Sequence, residues 1–169
     1  MDVEAAIRSR RTHKQFGPEP VDEATLRDLL DLARFAPNHK LIQPWRFHLL
    51  GPETRQRLNE AVGTTEAMKL GRAPTLILAT AVLSGDPVAD EEDLHATACA
   101  VYAVLLGATA RGLASYWRTP AALGEPAVRG VLGIAENERI VSLIHLGPKV
   151  SDPPGKERLP LEDVLRTLP

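Results

Sequence analysis

The segment DEEDLHATACAVYAVLLGATARG, residues 90–112, decides how the rest of the chain can be arranged. It begins with an acidic run, where a helix dipole favours negative charge. It closes at Arg111-Gly112, a cation followed by a residue that tolerates a helix C-cap. The pattern predicts one long helix. Residues 94–110 come close to the roughly 20 apolar residues of a membrane span. However, His95, Thr97, Thr109 and the wealth of small residues predict a helix buried all round, packed against neighbouring elements or a twin subunit. On one side of it TLILATAV, residues 75–82, is a continuous apolar run of β formers that suits a strand covered on both faces. On the other side LASYW (113–117) reads as a strand, EPAVRGVLG (125–133) as a helix and RIVSLIHLG (139–147) as a last strand.

Further out, residues 2–10 predict a short helix with Arg8, Arg10 and Arg11 at its C-terminal end. Asp22 then caps a helix over residues 22–35, with Leu26, Leu29, Leu30 and Leu32 on its apolar face. A Pro-bounded loop feeds a strand at WRFHLL (45–50), and residues 53–62 are helical. Residues 148–169 are Pro-rich and then amphipathic (Leu161, Val164, Leu165). They read as an arm leaving a globular body of residues 1–147 within a single domain of 169 residues.

Charge and composition remove several function classes. With 20 Lys+Arg against 22 Asp+Glu and a formal charge of −2, a sequence-independent grip on nucleic acid is not expected, so any basic site must be local. The single Cys99 cannot form an internal disulfide, which points to a reducing, cytoplasmic setting. The opening residues lack the apolar run and cleavage pattern of a signal peptide, and no membrane association is expected.

The usual chemical equipment is missing: the sequence contains no GxSxG elbow, no GxGxxG and no GxxxxGK[ST]. His95 and Cys99 stand four apart on one helix face, but no second pair accompanies them, so no metal site is expected and the pair reads as a packed, structural one. The hard chemistry would therefore fall to a bound cofactor. Three polar clusters could hold one. SRRTHKQF (9–16) sets Arg10, Arg11, Thr12 and Lys14 just past a helix, suited to a phosphate and a polar ring edge, or simply the usual cations of a helix end. GKERLP (155–160) alternates Lys156 and Arg158 so that both can reach one anion, unless it is a solvated tail. APNHKLIQPWRF (36–47) displays Asn38, His39, Lys40 and Gln43 between two prolines, or is only a well-ordered turn.

In this order and spacing the segments resemble the FMN-dependent NAD(P)H nitroreductase family, most closely its compact short-chain branch. RRTHKQF is similar to the family's Arg-[Arg/His]-Ser-x-[Lys/Arg] flavin motif. APNHKLIQPWRF is similar to its Ala-Pro-x-x-x-x-x-Gln-Pro-Trp-x-Phe motif, and GLASYWRTP to the segment beside the flavin ring. LGIAENERIVSLIHLG resembles its Leu-Gly, polar turn and strand ending in Leu-Gly, and KERLPLEDV its C-terminal Lys-x-Arg segment.

The resemblance implies an α+β fold, with a central, mostly antiparallel sheet flanked by helices, and an intertwined homodimer whose C-terminal arm docks on the partner. It implies FMN as cofactor and NAD(P)H as electron donor. The reaction would be a ping-pong hydride transfer to a nitroaromatic, quinone or similar small acceptor. A non-catalytic FMN-binding dimer, or a specialised flavin enzyme of the same fold performing dehalogenation or flavin breakdown, are the alternatives. By the same resemblance Arg10, Thr12, Lys156 and Arg158 surround the FMN phosphate and ribityl chain. Arg11 and Lys14 hold the pyrimidine side, with Lys14 stabilising charge at N1 and O2. Asn38 and His39 come from the partner, Trp117, Arg118 and Thr119 line the other side, and Lys69 matches a position near the ring loosely. This chain departs from the pattern at Pro120, which lacks an N–H where the family has Gly, at Leu41 in place of a polar residue, and in a short connection after Val62.

Overall fold

The computed structural model describes residues 1–168. Asp2 accepts the Ala5 N–H at 2.8 Å and starts α1 (Val3–Ser9). Asp22 accepts the Thr25 N–H at 2.9 Å and starts α2 (Glu23–Ala33). There follow β1 (Trp45–Leu49), α3 (Pro52–Val62), α4 (Thr64–Leu70), β2 (Thr75–Val82), α5 (Pro87–Ala110), β3 (Leu113–Arg118), α6 (Pro126–Leu132), β4 (Glu138–Pro148) and a single turn of helix, α7 (Leu161–Val164).

The four strands form one sheet in the order β1-β2-β4-β3, and every pairing is antiparallel. As its unbroken apolar run implies, β2 is central and covered on both faces. Ile77 and Ala79 meet the core shared with α2 and α5, while Leu76 and Leu78 meet the core under α3 and α6. The other central strand, β4, divides likewise, with Ile144 and Leu146 on the α5 face and Leu143 on the opposite one. Gly147, the next-to-last residue of this strand, is a glycine for a steric reason: a Cβ there would lie 2.7 Å from Cδ and Cγ of Pro74.

Two expectations need correction. The long helix begins at Pro87, because Asp86 accepts the Val88 and Ala89 N–H groups at 3.0 and 2.9 Å, and Pro at the first helical position reinforces that start. The acidic run therefore starts at Asp90 in the first turn and continues into the helix instead of opening it. Next, α5 is not buried all round within the protomer. Val101, Val104 and Leu105 are in the core, but His95, Cys99 and Tyr102 are exposed, so the expected packed His95–Cys99 pair is absent. That outer face joins Leu32 and Phe35 along an apolar groove of about 550 Å³, with Phe35 81 % exposed. The connection after Val62 is short and carries a helix of its own. Gly63, at φ 77°, lets the chain break from α3 and restart as α4, which brings Glu66 and Lys69 inward.

Candidate active site

The polar segment after α1 is pinned to the sheet. The His13 N–H donates to the Ser115 carbonyl at 3.0 Å, and the Ser115 N–H donates to His13 Nδ1 at 3.4 Å, across the edge of β3. The Gly17 N–H donates to the Pro148 carbonyl at 2.9 Å, where β4 ends and the C-terminal arm begins. These bonds bring residues 10–15 and the arm together around a cavity of about 860 Å³, lined by Arg10, Arg11, Thr12, Lys14, Lys156 and Arg158. The one acid facing it, Asp152, is engaged by Lys149 at 2.9 Å, and that hydrogen bond holds its carboxyl below the ordinary value. Among the described residues none of these five cations has a carboxylate within 4.0 Å. Like charges gathered without acids are a receptor for an anion, and guanidinium forks match the geometry of a phosphate.

Past Lys14 and Tyr116 lies a smaller chamber of about 220 Å³, lined also by Phe16, Lys69, Arg72, Arg118 and His145. Arg118 forms an ion pair with Glu66, which also meets Lys69 at 3.5 Å. Burial pushes the Glu66 carboxyl up, and the hydrogen bonds and charges of Arg118 and Lys69 outweigh it, leaving the group below its usual value. His145, on β4, is 1 % exposed, between the rings of Tyr116 (centroids 5.7 Å apart) and Phe16 (6.4 Å). Burial, and then the charges of Arg118, Arg55 and Arg72 against the opposing pull of Glu66, bring its pKa down to about 4. Its Nε2 has no hydrogen-bond partner.

The held-neutral imidazole makes the fold acid-labile. Its folded pKa of about 4 lies below the ordinary 6.5, so the unfolded chain takes up the proton first and stability falls as pH drops through that interval. The expected loss reaches about 3 kcal/mol. Thermal melts between neutral and acid pH would show it as a slope that flattens in His145→Leu, and equal slopes in the two proteins would contradict it.

Residues 7–68 and 63–148 match the family model described as "Nitroreductase family". The chain belongs to the nitroreductase family. It is 30% identical over 173 residues to the Bacillus subtilis protein named "Putative NAD(P)H nitroreductase YfhC", covering 93% of this chain and 89% of that one. The structure of a nitroreductase-like family protein from Bacillus cereus superimposes with a TM-score of 0.89 at 27% identity, over 99% of this chain and 96% of that chain. A Desulfovibrio desulfuricans protein described as "a putative nitroreductase in complex with fmn" shares the fold, with a TM-score of 0.81 at 24% identity, over 99% and 96% of the two chains.

In this nitroreductase-family fold the residues singled out from the sequence fall into three groups. Arg10, Arg11, Thr12, Lys14, Lys156 and Arg158 share the large cavity, and Lys14 also reaches the chamber. Arg11 is turned back, with Nη1 donating to the Arg8 and Arg10 carbonyls at 2.6 and 3.0 Å. The segment of β3 is divided by strand alternation: Arg118 enters the chamber, while Trp117 packs on the core shared with α5, and the Thr119 hydroxyl donates to the Val141 carbonyl at 3.2 Å. Asn38 and His39 lie away from both cavities of this protomer. There Asn38 Oδ1 accepts the Gln43 N–H at 2.9 Å, across a loop in which Lys40, Leu41 and Gln43 all have positive φ, and His39 approaches Glu92 at 3.9 Å. Lys69 lines the chamber. Sequence reasoning did not single out Tyr116, His145, Arg72 or Glu66. Tyr116 was within reach, because strict alternation puts it on the same face as Arg118.

Proposed function

We propose that this protein is an FMN-dependent NAD(P)H oxidoreductase that reduces nitroaromatics, quinones or similar electron-poor acceptors by a ping-pong scheme. The observation that carries the reading is the set of unpaired cations around one cavity, continued by a cationic chamber in which a buried imidazole lacks a partner. That donor set fits FMN: a phosphate at one end and a polar ring edge at the other. The names of the relatives support it, since YfhC carries the name "Putative NAD(P)H nitroreductase" and the Desulfovibrio desulfuricans protein was solved in complex with FMN.

FMN, when bound, would supply the hydride chemistry between NAD(P)H and the acceptor. The chain supplies the binding and the field. Arg10, Lys156 and Arg158 would hold the phosphate, and Thr12 the ribityl chain or a phosphate oxygen. Lys14, at the junction of the two cavities, would face the pyrimidine edge and stabilise negative charge that gathers there on reduction, an effect amplified where water is scarce. Arg11, Trp117, Arg118 and Thr119 would support this side of the site from around it. Pro120 has no N–H to offer the flavin, so no backbone donor is assigned there.

A homodimer completes the reading. The exposed groove along α2 and α5 and the apolar, exposed Leu159, Leu161, Val164 and Leu165 of the arm both need cover, which a second subunit would supply. Asn38 and His39 would then reach the flavin of the other subunit. The single domain, with its arm of residues 148–169, would act in the cytoplasm, where the exposed Cys99 stays reduced.

The test is the visible spectrum of the purified protein, supplemented with FMN, before and after anaerobic NADPH and then NADH. Flavin bands that bleach within seconds are expected. Bands that persist would instead favour a non-catalytic FMN binder, and protein unable to take up FMN would remove the cofactor assignment. In the same experiment Lys14→Ala is expected to lower the flavin reduction potential, and an unchanged potential would take Lys14 out of its role.

A further inference from the structure

We propose that His145 is the hydrogen-bond acceptor that recognises the imide N3–H of the flavin, an inference that rests on the FMN reading above. A donor and acceptor inventory of the chamber leads to it. Lys14, Lys69, Arg72 and Arg118 can only donate. The acid beside them, Glu66, is committed to Arg118 and Lys69. Among the side chains lining the chamber that leaves His145 Nε2 and the Tyr116 hydroxyl as acceptors.

The imide edge of an isoalloxazine ring presents two carbonyl oxygens with an N–H between them. A chamber of cations serves the carbonyls and offers nothing to the N–H, and a neutral imidazole supplies what is missing. His145 is placed for this by the sheet. It sits on central β4, paired with Leu76 on one side and Tyr116 on the other, and is wedged between two aromatic rings, so its ring has little freedom to turn away. Its Nε2 is buried and unpartnered, a costly condition for a polar atom that a ligand N–H relieves. The surrounding cations and burial keep the ring unprotonated at neutral pH, so with the proton on Nδ1 the Nε2 lone pair is available.

The experiment is a binding cycle with FMN and N3-methyl-FMN on apo-protein, read by quenching of flavin fluorescence, for wild type and His145→Leu. His145→Leu is expected to weaken FMN about tenfold. N3-methylation should cost wild type about tenfold and cost the variant much less, because the leucine protein has no acceptor left to lose. His145→Gln, whose amide oxygen can accept, should recover part of the FMN affinity. Equal methylation penalties in wild type and His145→Leu would overturn the proposal. Should the leucine variant fail to fold, wild-type holoprotein with 15N-labelled flavin and histidine decides. A scalar coupling between flavin N3 and His145 Nε2 is expected, and its absence refutes the contact. Wild type that binds no FMN at all would sink the cofactor reading, whereas normal FMN binding with equal penalties sinks the role of His145 alone.

Discussion

Protein in which Arg10 and Arg158 are both replaced by alanine is expected to purify colourless, with FMN affinity reduced by two orders of magnitude or more. Arg10 is brought to the cavity by the end of α1 and Arg158 by the arm, so the two reach one volume from opposite ends of the chain. A charge-assisted hydrogen bond to phosphate contributes about 1.5–3 kcal/mol, and removing two such bonds accounts for the size of the effect. Lys156 alone would remain at the phosphate end, as a point charge without a bidentate fork. The same substitutions relieve repulsion between clustered cations, so the apo-protein should melt no lower than wild type. Flavin titration and thermal melts of the apo forms separate the two effects. A double variant that stays yellow would place the phosphate elsewhere, and one that melts far below wild type would make the arginines structural.

Glu66→Ala is expected to destabilise the fold by about 3–5 kcal/mol, the cost of leaving a buried ion-pair partner uncompensated. The Arg118 and Glu66 side chains are only 13% and 16% exposed. Without the carboxylate, Arg118 stands against Lys69 and Arg72 in a chamber whose lining holds no other carboxylate to balance its charge. For a chain of this length the loss corresponds to a melting temperature lower by roughly 6–20 °C. Glu66→Gln, which keeps a hydrogen-bond acceptor, should fall in between. Added FMN should restore part of the stability of Glu66→Ala through linkage, since its carbonyl edge offers acceptors to the orphaned cations. A melt within a degree or two of wild type would mean that the pair is solvated and stabilises little.

The individual elements were legible because they rest on local patterns, and the family resemblance supplied their arrangement. The unbroken β2 run, the Asp-capped helices and the apolar stretch of α5 are each readable from a few neighbouring residues, and α5 shifted only because Asp86-Pro87 starts a helix more strongly than the acids that follow. The cations that line the larger cavity were legible for a similar reason. Arg10, Arg11, Thr12 and Lys14 are consecutive in the chain, and Lys156 and Arg158 belong to a short motif that travels as a unit. Helix α4 was not legible, because seven residues between two glycines hold too few periodic positions to show a face.

By itself, then, the sequence determined the individual elements, the two covered faces of β2 and which cations stand together in the chain, since propensity, capping and alternation act over a few residues, while the α+β layering came from the family resemblance. The tertiary structure alone decided which way β3 presents its side chains. The pairing of Tyr116 with His145 and of Trp117 with Ile144 sends the tryptophan into the core and the tyrosine to the chamber. It likewise decided that Glu66 neutralises Arg118 and that His145 is buried, uncharged and unpartnered among cations. Those properties arise from groups far apart in the chain but close in space. Desolvation and Coulomb interactions depend on distance and burial, and these exist only once the sheet has closed.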